Sequence, residues 1–263
     1  MNDASPGARL RDAALRETIL IPGAFNALVG RLIEDCGYEA MYISGAAFSA
    51  GTLALPDIGL FTLSELAEHT RQLTRSTRLP VIVDADTGFG EPVNVERTVM
   101  ELEAAGAAAI QLEDQRLPKR CGHLSGKQLV EPEEMEAKIR AAAAARADED
   151  LVILARTDAR GVIGIDAAID RAQRYLQAGA DWIFPESLRT ADEFAEFAKK
   201  VRAPLIANMT EFGQSPLLTL DELRQLGYVG VLLPVTLLRV AMKAIEAHMN
   251  NAAAGKTALI RMA

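Results

Sequence analysis

Short runs rich in Val, Ile and Leu alternate along this chain with longer segments of helical period. This alternation is typical of repeated βα units built around a parallel sheet. We predict eight strands, at residues 18–21, 40–43, 80–83, 108–112, 151–154, 182–184, 204–207 and 229–233. We predict helices at residues 63–74, 94–105, 132–147, 165–178, 191–201 and 220–226.

A closed barrel accounts for this pattern better than an open sheet does. The length of 263 residues is close to that of an eight-stranded α/β barrel. No Gly-x-Gly-x-x-Gly follows the first predicted strand, as an open doubly wound sheet would favour. We therefore predict the α/β class, a (β/α)₈ barrel and one domain over residues 1–263. Two long connections, residues 44–62 and 113–131, should carry function.

Composition excludes several classes of partner. The net charge is −8 and no basic run occurs, which argues against binding to nucleic acid or an anionic membrane. No segment is apolar for long enough to predict a membrane span. The two cysteines, Cys36 and Cys121, are far apart and form no disulfide framework, so we expect a cytoplasmic protein. Cys36 is predicted to pack inertly on an apolar helix face, and His69 and His248 to be non-catalytic.

Polar side chains follow almost every predicted strand. In a barrel these positions converge at one end, where active sites are built. They are Ser44, Gly45, Asp84, Asp86, Glu113, Asp114, Arg156, Asp158, Glu186, Asn208 and Thr210.

Asp84 and Asp86 are the candidate metal ligands. Alternation along a strand turns both carboxylates to one face, where a cation would relieve their repulsion. Such hard oxygen ligands suit Mg²⁺ or Mn²⁺. The alternative is a pair of acidic loop residues hydrogen-bonded to the Gly-rich turn at residues 87–90.

Two further features suggest chemistry. In the KRCGH segment, a thiol beside basic residues should have a perturbed pKa, and a glycine permits close approach by a ligand. This segment comprises Lys119, Arg120, Cys121, Gly122 and His123. Its alternative is a solvated surface loop. Arg156 could clamp a substrate carboxylate, or form an internal ion pair with Glu186 or Glu113.

These motifs resemble the isocitrate lyase and phosphoenolpyruvate mutase superfamily. The similarity runs through MYISG, LPD, VDADTGFG, EDQ, KRCGH, ARTD, FPE and ANMTEFG, and therefore covers nearly the whole chain. KRCGH is the most specific of them, since lyases of the superfamily carry it and phosphonate mutases do not. The resemblance implies cleavage of 2-methylisocitrate into pyruvate and succinate, within propionate catabolism.

The resemblance also implies roles for individual residues. Asp84 and Asp86 would hold Mg²⁺, with Mn²⁺ as a possible substitute, and Cys121 would be the general acid. The base would be Tyr42 or Glu113. The remaining implied contacts to a small di- or tricarboxylate are Arg156, His123, Asn208, Glu186, Thr210, Arg239, Asp57, Lys119, Arg120 and Gly122, with the backbone of Ser44, Gly45 and Ala46. The assembly implied is a homotetramer, a dimer of dimers with exchanged C-terminal helices.

Three departures from the family pattern leave alternatives open. Ala46 and Ala47 replace two glycines, Leu124 replaces a common arginine, and the chain ends at Ala263, before the full C-terminal helical tail of the family. The tail is therefore expected to be incomplete. Cleavage of 2,3-dimethylmalate and decarboxylation of oxaloacetate are the alternative activities. A phosphonate mutase with Asp57 as nucleophile, or a catalytically silent barrel, fits the motifs less well.

Overall fold

Eight parallel strands form a closed ring in the computed structural model, which describes residues 4–253. The strands are β1 (Ile19–Pro22), β2 (Met41–Ile43), β3 (Val81–Asp84), β4 (Ala109–Glu113), β5 (Val152–Thr157), β6 (Trp182–Pro185), β7 (Ile206–Asn208) and β8 (Gly230–Leu233). They form two arcs, one of β2 to β6 and one of β7, β8 and β1. Isolated parallel bridges, Gly23 to Tyr42 and Ile183 to Leu205, join the arcs. The predicted (β/α)₈ barrel is confirmed.

Most of the helices connect successive strands on the outside of the ring, whereas the first helix precedes the first strand and the last helix follows the eighth strand. Within residues 4–253 they are α1 (Pro6–Arg16), α2 (Ala27–Asp35), α3 (Gly45–Leu53), α4 (Leu63–Ser76), α5 (Pro92–Ala104), α6 (Pro132–Ala145), α7 (Arg160–Ile163), α8 (Ile165–Ala178), α9 (Ala191–Lys200), α10 (Leu220–Gln225) and α11 (Thr236–Ala253). Capping residues set several of the starts. Thr62 and Glu65 form a reciprocal capping box at α4, and Thr219 and Glu222 form another at α10.

The structure corrects two sequence-based expectations. The connection at residues 44–62 contains α3, which the Ser44 side chain caps by accepting a hydrogen bond from Ala47 N at 3.3 Å. Cys36 is exposed, because it caps the C-terminus of α2 instead of lying on the buried face of that helix. The predicted inert packing of Cys36 is therefore wrong.

The interior of the barrel is filled by side chains from the strands and by α1. Leu10 of α1 is fully buried in the same apolar cluster as Ile21, Ile82, Leu154 and Ile206. The larger cluster lies between the strands and the surrounding helices. The packed interior leaves the carboxyl ends of the strands as the place where a ligand can bind.

Two further predictions from the sequence concern membrane spans and the C-terminal tail. No helix among the described residues is both long and apolar enough to cross a membrane. The predicted incompleteness of the C-terminal tail concerns residues 254–263, which lie outside the described residues.

Candidate active site

A cavity of about 440 Å³ opens at the carboxyl ends of the strands and gathers most of the residues singled out from the sequence. Those lining it are Tyr42, Ser44, Ala46, Asp57, Asp84, Lys119, Arg120, Cys121, Gly122, His123, Arg156, Glu186, Asn208, Thr210 and Arg239. Asp86, Glu113 and Gly45 lie directly behind this lining and contact Lys119, Arg156 and Asp84 respectively.

The two aspartates at the end of β3 are buried and differ in their hydrogen bonding. Asp84 accepts hydrogen bonds from Gln111 Nε2 at 2.9 Å and from Gly45 N at 3.1 Å. The amide of Gly45 is thus engaged by Asp84, although the sequence suggested that it would bind substrate. Asp86 Oδ1 lies 2.8 Å from Lys119 Nζ, but neither of its carboxylate oxygens receives a well-directed hydrogen bond.

The environment of Asp86 fits a cation site. Burial, followed by repulsion from Asp84, raises the pKa of Asp86 to about 7 despite the opposing effect of Lys119. Its backbone has a φ of 48°, an unfavourable conformation that concentrates at functional sites. A Cβ atom on Gly45 would lie 3.0 Å from Asp86 Oδ1 and 3.2 Å from Asp84 Oδ2, so a side chain there would crowd both carboxylates.

The available ligands suit a hard divalent cation. Glu113, beside the aspartates, is 1% exposed and neither of its carboxylate oxygens has a hydrogen-bond partner. Among the described residues no group of three or more His, Cys, Asp or Glu side chains surrounds one point. A cation at Asp84 and Asp86 would therefore complete its shell with water and substrate oxygens, as Mg²⁺ commonly does.

Lys119 forms ion pairs with the carboxylates on the acidic side of the cavity. Its ammonium group contacts Asp57 and Asp86, and its side chain is 3% exposed. Burial alone would lower the pKa of Lys119, but the carboxylates of Asp86, Glu113 and Asp57 outweigh it and raise that pKa well above its ordinary value. Lys119 is therefore a permanent positive charge.

Arg156 is surrounded by three carboxylates. Its Nε and Nη2 bind Asp158 at 2.9 and 3.1 Å, Nη1 lies 3.2 Å from Glu113, and Nη2 lies 3.5 Å from Glu186. The guanidinium also lies over the ring of Phe184, 5.4 Å from its centroid. The internal ion pairs considered as an alternative for Arg156 are both present. Because Asp158 occupies the Nε–Nη2 fork, a substrate carboxylate would not find that fork free.

Cys121 has the protonation state that a general acid requires. Its side chain is partly exposed to the cavity. Burial is the main reason that the pKa of Cys121 is raised above its ordinary value. The neighbouring Lys119 is paired with acids, and the charge of Arg156 lowers the pKa of the thiol less than burial raises it. The thiol is therefore protonated at neutral pH.

The hydrogen bonds around His123 assign its tautomer. The backbone amide of Gln214 donates to Nδ1 at 2.9 Å, so a neutral ring carries its proton on Nε2. Nε2 lies 3.2 Å from Glu186 Oε1 and 3.3 Å from Asn208 Nδ2. Burial lowers the pKa of His123 below its ordinary value, which favours this neutral form.

Tyr42 and Glu113 differ as candidate bases. The Tyr42 hydroxyl donates to Gln111 Oε1 at 2.8 Å, and burial, together with Asp84, raises the pKa of Tyr42 well above its ordinary value. Tyr42 is thus a neutral hydrogen-bond donor. Burial also raises the pKa of Glu113 well above its ordinary value, against the opposing charge of Arg156. Glu113 can accept a proton only as the carboxylate, the form that the charges of Arg156 and Lys119 favour against burial.

Several residues of the site were not singled out as site residues from the sequence. Gln111 orients Asp84 and Tyr42, Gln214 holds His123, and Ser187, Lys127 and Asp158 support the KRCGH segment. Asp158 was noted at a strand end, and Lys127 stands only four residues after His123. Gln214 carries no sequence signal, because it contacts His123 across 91 residues of chain.

Fold and site together define a barrel enzyme of small-molecule substrates, with a cluster of acids at the rim and a protonated thiol facing them. The chain belongs to the family described as phosphoenolpyruvate phosphomutase, whose model matches residues 10–253.

Relatives of known activity are similar over most of the chain. The 2-methylisocitrate lyase of Aeropyrum pernix is 58% identical over 247 residues, which are 94% of this chain and 79% of that protein. The 2-methylisocitrate lyase of Escherichia coli is 46% identical over 249 residues, which are 94% of this chain and 84% of that protein. These identities place the chain among the lyases of the family.

Solved structures share the fold. A 2,3-dimethylmalate lyase superimposes with a TM-score of 0.94 at 31% identity, over 99% of this chain and 88% of that one. A phosphonopyruvate hydrolase in complex with oxalate and Mg²⁺ superimposes with a TM-score of 0.86 at 32% identity, over 98% of this chain and 90% of that one.

Proposed function

We propose that this protein is a lyase that cleaves 2-methylisocitrate between C2 and C3 into pyruvate and succinate. The observation that carries the proposal is the protonated Cys121 thiol in the same cavity as Asp84, with the buried Asp86 and Glu113 carboxylates directly behind. The identity with curated 2-methylisocitrate lyases, 58% and 46%, supports this substrate.

The cation proposed for the aspartate pair is Mg²⁺, with Mn²⁺ as a substitute, held by Asp84 and Asp86. When bound, it would supply Lewis acidity to the oxygens of the pyruvate half. The phosphonopyruvate hydrolase in complex with oxalate and Mg²⁺ supports this choice, because oxalate, like an α-keto acid, carries oxygens on two adjacent carbons.

Proton transfers at both ends of the bond complete the reaction. Glu113, which lies behind the cavity lining, takes the proton of the C2 hydroxyl through one intervening water molecule, and the electrons of that O–H bond form the carbonyl of pyruvate as the C2–C3 bond breaks. The C2–C3 electron pair passes to C3, and Cys121 delivers its proton there to give succinate. Exchange with solvent then returns the proton from Glu113 and reprotonates Cys121.

The remaining residues of the cavity bind carboxylates. His123 and Asn208 line the cavity beside Glu186, which accepts a hydrogen bond from Asn208 Nδ2 at 3.2 Å; Asn208 Oδ1, which has no partner among the described residues, can accept a hydrogen bond from the substrate hydroxyl. Arg156 supplies fixed positive charge to the cavity, although Asp158 holds Nε and Nη2 and Glu113 lies 3.2 Å from Nη1. The rest of the rim is formed by the start of α3, at Ser44 and Ala46, and by Arg120, Thr210 and Arg239.

A pyruvate assay tests the proposal. Protein, MgCl₂ and racemic 2-methylisocitrate are incubated, and pyruvate is coupled to lactate dehydrogenase; EDTA should abolish the signal and MnCl₂ should restore it. A competent, metal-loaded protein that releases no pyruvate would refute the assignment.

Cleavage of 2,3-dimethylmalate is the second candidate. Leu124 lines the cavity and is 58% exposed, at a position where an arginine would add a cation. A site with one cation fewer would suit a dicarboxylate. Measuring kcat/KM for 2-methylisocitrate, 2,3-dimethylmalate and oxaloacetate decides between them. Asp57 is paired with Lys119, which disfavours its use as a nucleophile in phosphonate chemistry.

We also propose that the protein assembles as a homotetramer in the cytoplasm. Helix α11 exposes Val240, Met242, Ile245 and Met249, an apolar surface that supports association into the expected homotetramer. Light scattering after gel filtration would give the subunit count. A cytoplasmic location is consistent with two unpaired cysteines and is checked by cell fractionation.

A further inference from the structure

The carbonyl oxygen of Gly122, next to Cys121, receives two side-chain donors. Lys127 Nζ donates to it, and Ser187 Oγ donates to it at 2.7 Å. Gly122 itself packs against Glu186 and Arg156 so closely that a Cβ atom would collide with both. The peptide unit between Gly122 and His123, one residue after Cys121, is therefore fixed against the rim of the barrel.

Lys127 joins this peptide to the Arg156 cluster. Its ammonium group also binds Asp158 Oδ1 at 2.8 Å, and the two side chains are 2% and 0% exposed. Asp158 is the residue that holds the fork of Arg156. The absence of a side chain on Gly161 leaves space for the ammonium group, since a Cβ atom there would lie 3.0 Å from Nζ.

Burying the Lys127 ammonium group lowers the stability of the fold unless its contacts compensate for the lost hydration. Desolvating an ammonium group is unfavourable, and a buried ion pair often stabilises a protein no more than apolar residues would. The ammonium group of Lys127 is enclosed by Gly122 O, Asp158 and Gly161, and Lys127 does not line the cavity. Its two partners are instead the carbonyl oxygen of Gly122, the residue after Cys121, and the Asp158 carboxylate that orients the guanidinium.

We propose that Lys127 is a positioning residue, which holds the Cys121 loop against the Asp158–Arg156 pair and so fixes the thiol relative to the cations of the site. The kinetic consequence rests on the proposed lyase function. The placement of the thiol does not, and it can be measured without substrate.

The rate of Cys121 alkylation reports how accessible the thiol is once the thiolate fraction of each variant is known from the pH dependence of that rate. In a Cys36→Ser background, iodoacetamide can label Cys121 alone, because the chain has two cysteines. Lys127→Met keeps the length of the side chain and removes its charge, and it should free the loop and raise the alkylation rate about tenfold. Lys138→Met is the matched control: Lys138 is also buried, and it donates to the backbone oxygen of Thr87 at 3.3 Å, away from the loop.

The comparison is made well below the melting temperature of each variant. A Lys127→Met rate within twofold of the parent, or an equal rise in Lys138→Met, would overturn the proposal. Ser187→Gly removes the second donor and tolerates the φ of 61° at that residue. It should give a smaller rise in the alkylation rate, and it serves as the test if Lys127→Met fails to fold.

The pyruvate assay tests the kinetic consequence of the Lys127 proposal. Misplacing a reacting group by about 1 Å can cost about 100-fold in rate, so Lys127→Met should lower kcat by about that factor while KM changes less than threefold. A rise in KM alone would contradict positioning of the acid. If the parent protein forms no pyruvate, the proposed function fails, while the alkylation rates still decide the role of Lys127.

Discussion

Acidification from about pH 7.5 to about pH 5 should cost this protein about 2 kcal/mol of folding stability through one buried imidazole, His69 of α4. Its side chain is 5% exposed and stacks on Phe48 of α3, with ring centroids 4.4 Å apart. Nε2 of His69 has no hydrogen-bond partner. Burial lowers the pKa of His69 from 6.5 to about 4.

The size of the effect follows from the two protonation equilibria. The unfolded chain takes up a proton near pH 6.5, whereas the folded chain resists it until about pH 4. The stabilisation is therefore complete above the unfolded pKa and is lost as the pH falls from there to the folded pKa. Each pH unit inside this window costs about 1.4 kcal/mol, which gives about 2 kcal/mol at pH 5 and about 3.4 kcal/mol below pH 4.

Urea denaturation at both pH values measures the effect. His69→Phe keeps an aromatic ring against Phe48 but cannot bind a proton, so its unfolding free energy should fall by about 2 kcal/mol less than that of the parent. His248→Gln, on the exposed face of α11, is the control and should behave like the parent. Parallel losses in the parent and in His69→Phe would show that the reasoning about His69 is wrong.

Three further predictions concern the cavity. Cys121→Ser replaces the thiol with a far weaker acid and should lower the kcat for pyruvate release by about 10²- to 10⁴-fold, with binding of pyruvate and Mg²⁺ unchanged by calorimetry. Asp86→Asn removes one carboxylate of the pair and should raise the Mg²⁺ dissociation constant by at least about tenfold; an unchanged constant would place the metal elsewhere. Gly122→Ala forces a methyl group into Arg156 and Glu186 and should cost about 1–3 kcal/mol of stability by calorimetry, whereas a neutral result would mean that the loop sits further out.

The barrel was predictable because its signal is periodic and local. Apolar runs marked all eight strands to within about three residues, and helices such as Ile165–Ala178 matched their amphipathic pattern. Helix α3 was not predicted, because its Ala- and Gly-rich sequence has no polar face to give a helical period. Its start depends on a cap from Ser44, which the end of β2 positions.

The location of the site was predictable, but the pairing of its charges was not. Strand ends converge in any barrel, which is why Asp84, Arg156 and Glu186 were expected to meet. The sequence could not show that Asp158 occupies the fork of Arg156, or that Lys119 serves the aspartates, because such choices depend on distances between loops. The direction of the Cys121 pKa shift likewise depends on its depth below the surface, which composition does not report.

The two arcs of strands carry different functional side chains of the cavity rim. Asp84, Glu113 and Arg156 lie at the carboxyl ends of strands of the five-stranded arc, and Asp86 and Glu186 follow such strands. Asn208 ends a strand of the three-stranded arc. Single bridges join the arcs, in contrast to the continuous ladders within each. A ligand that contacts both the aspartates and Asn208 would link the two arcs of strands. The barrel would therefore be most rigid when the cavity is filled.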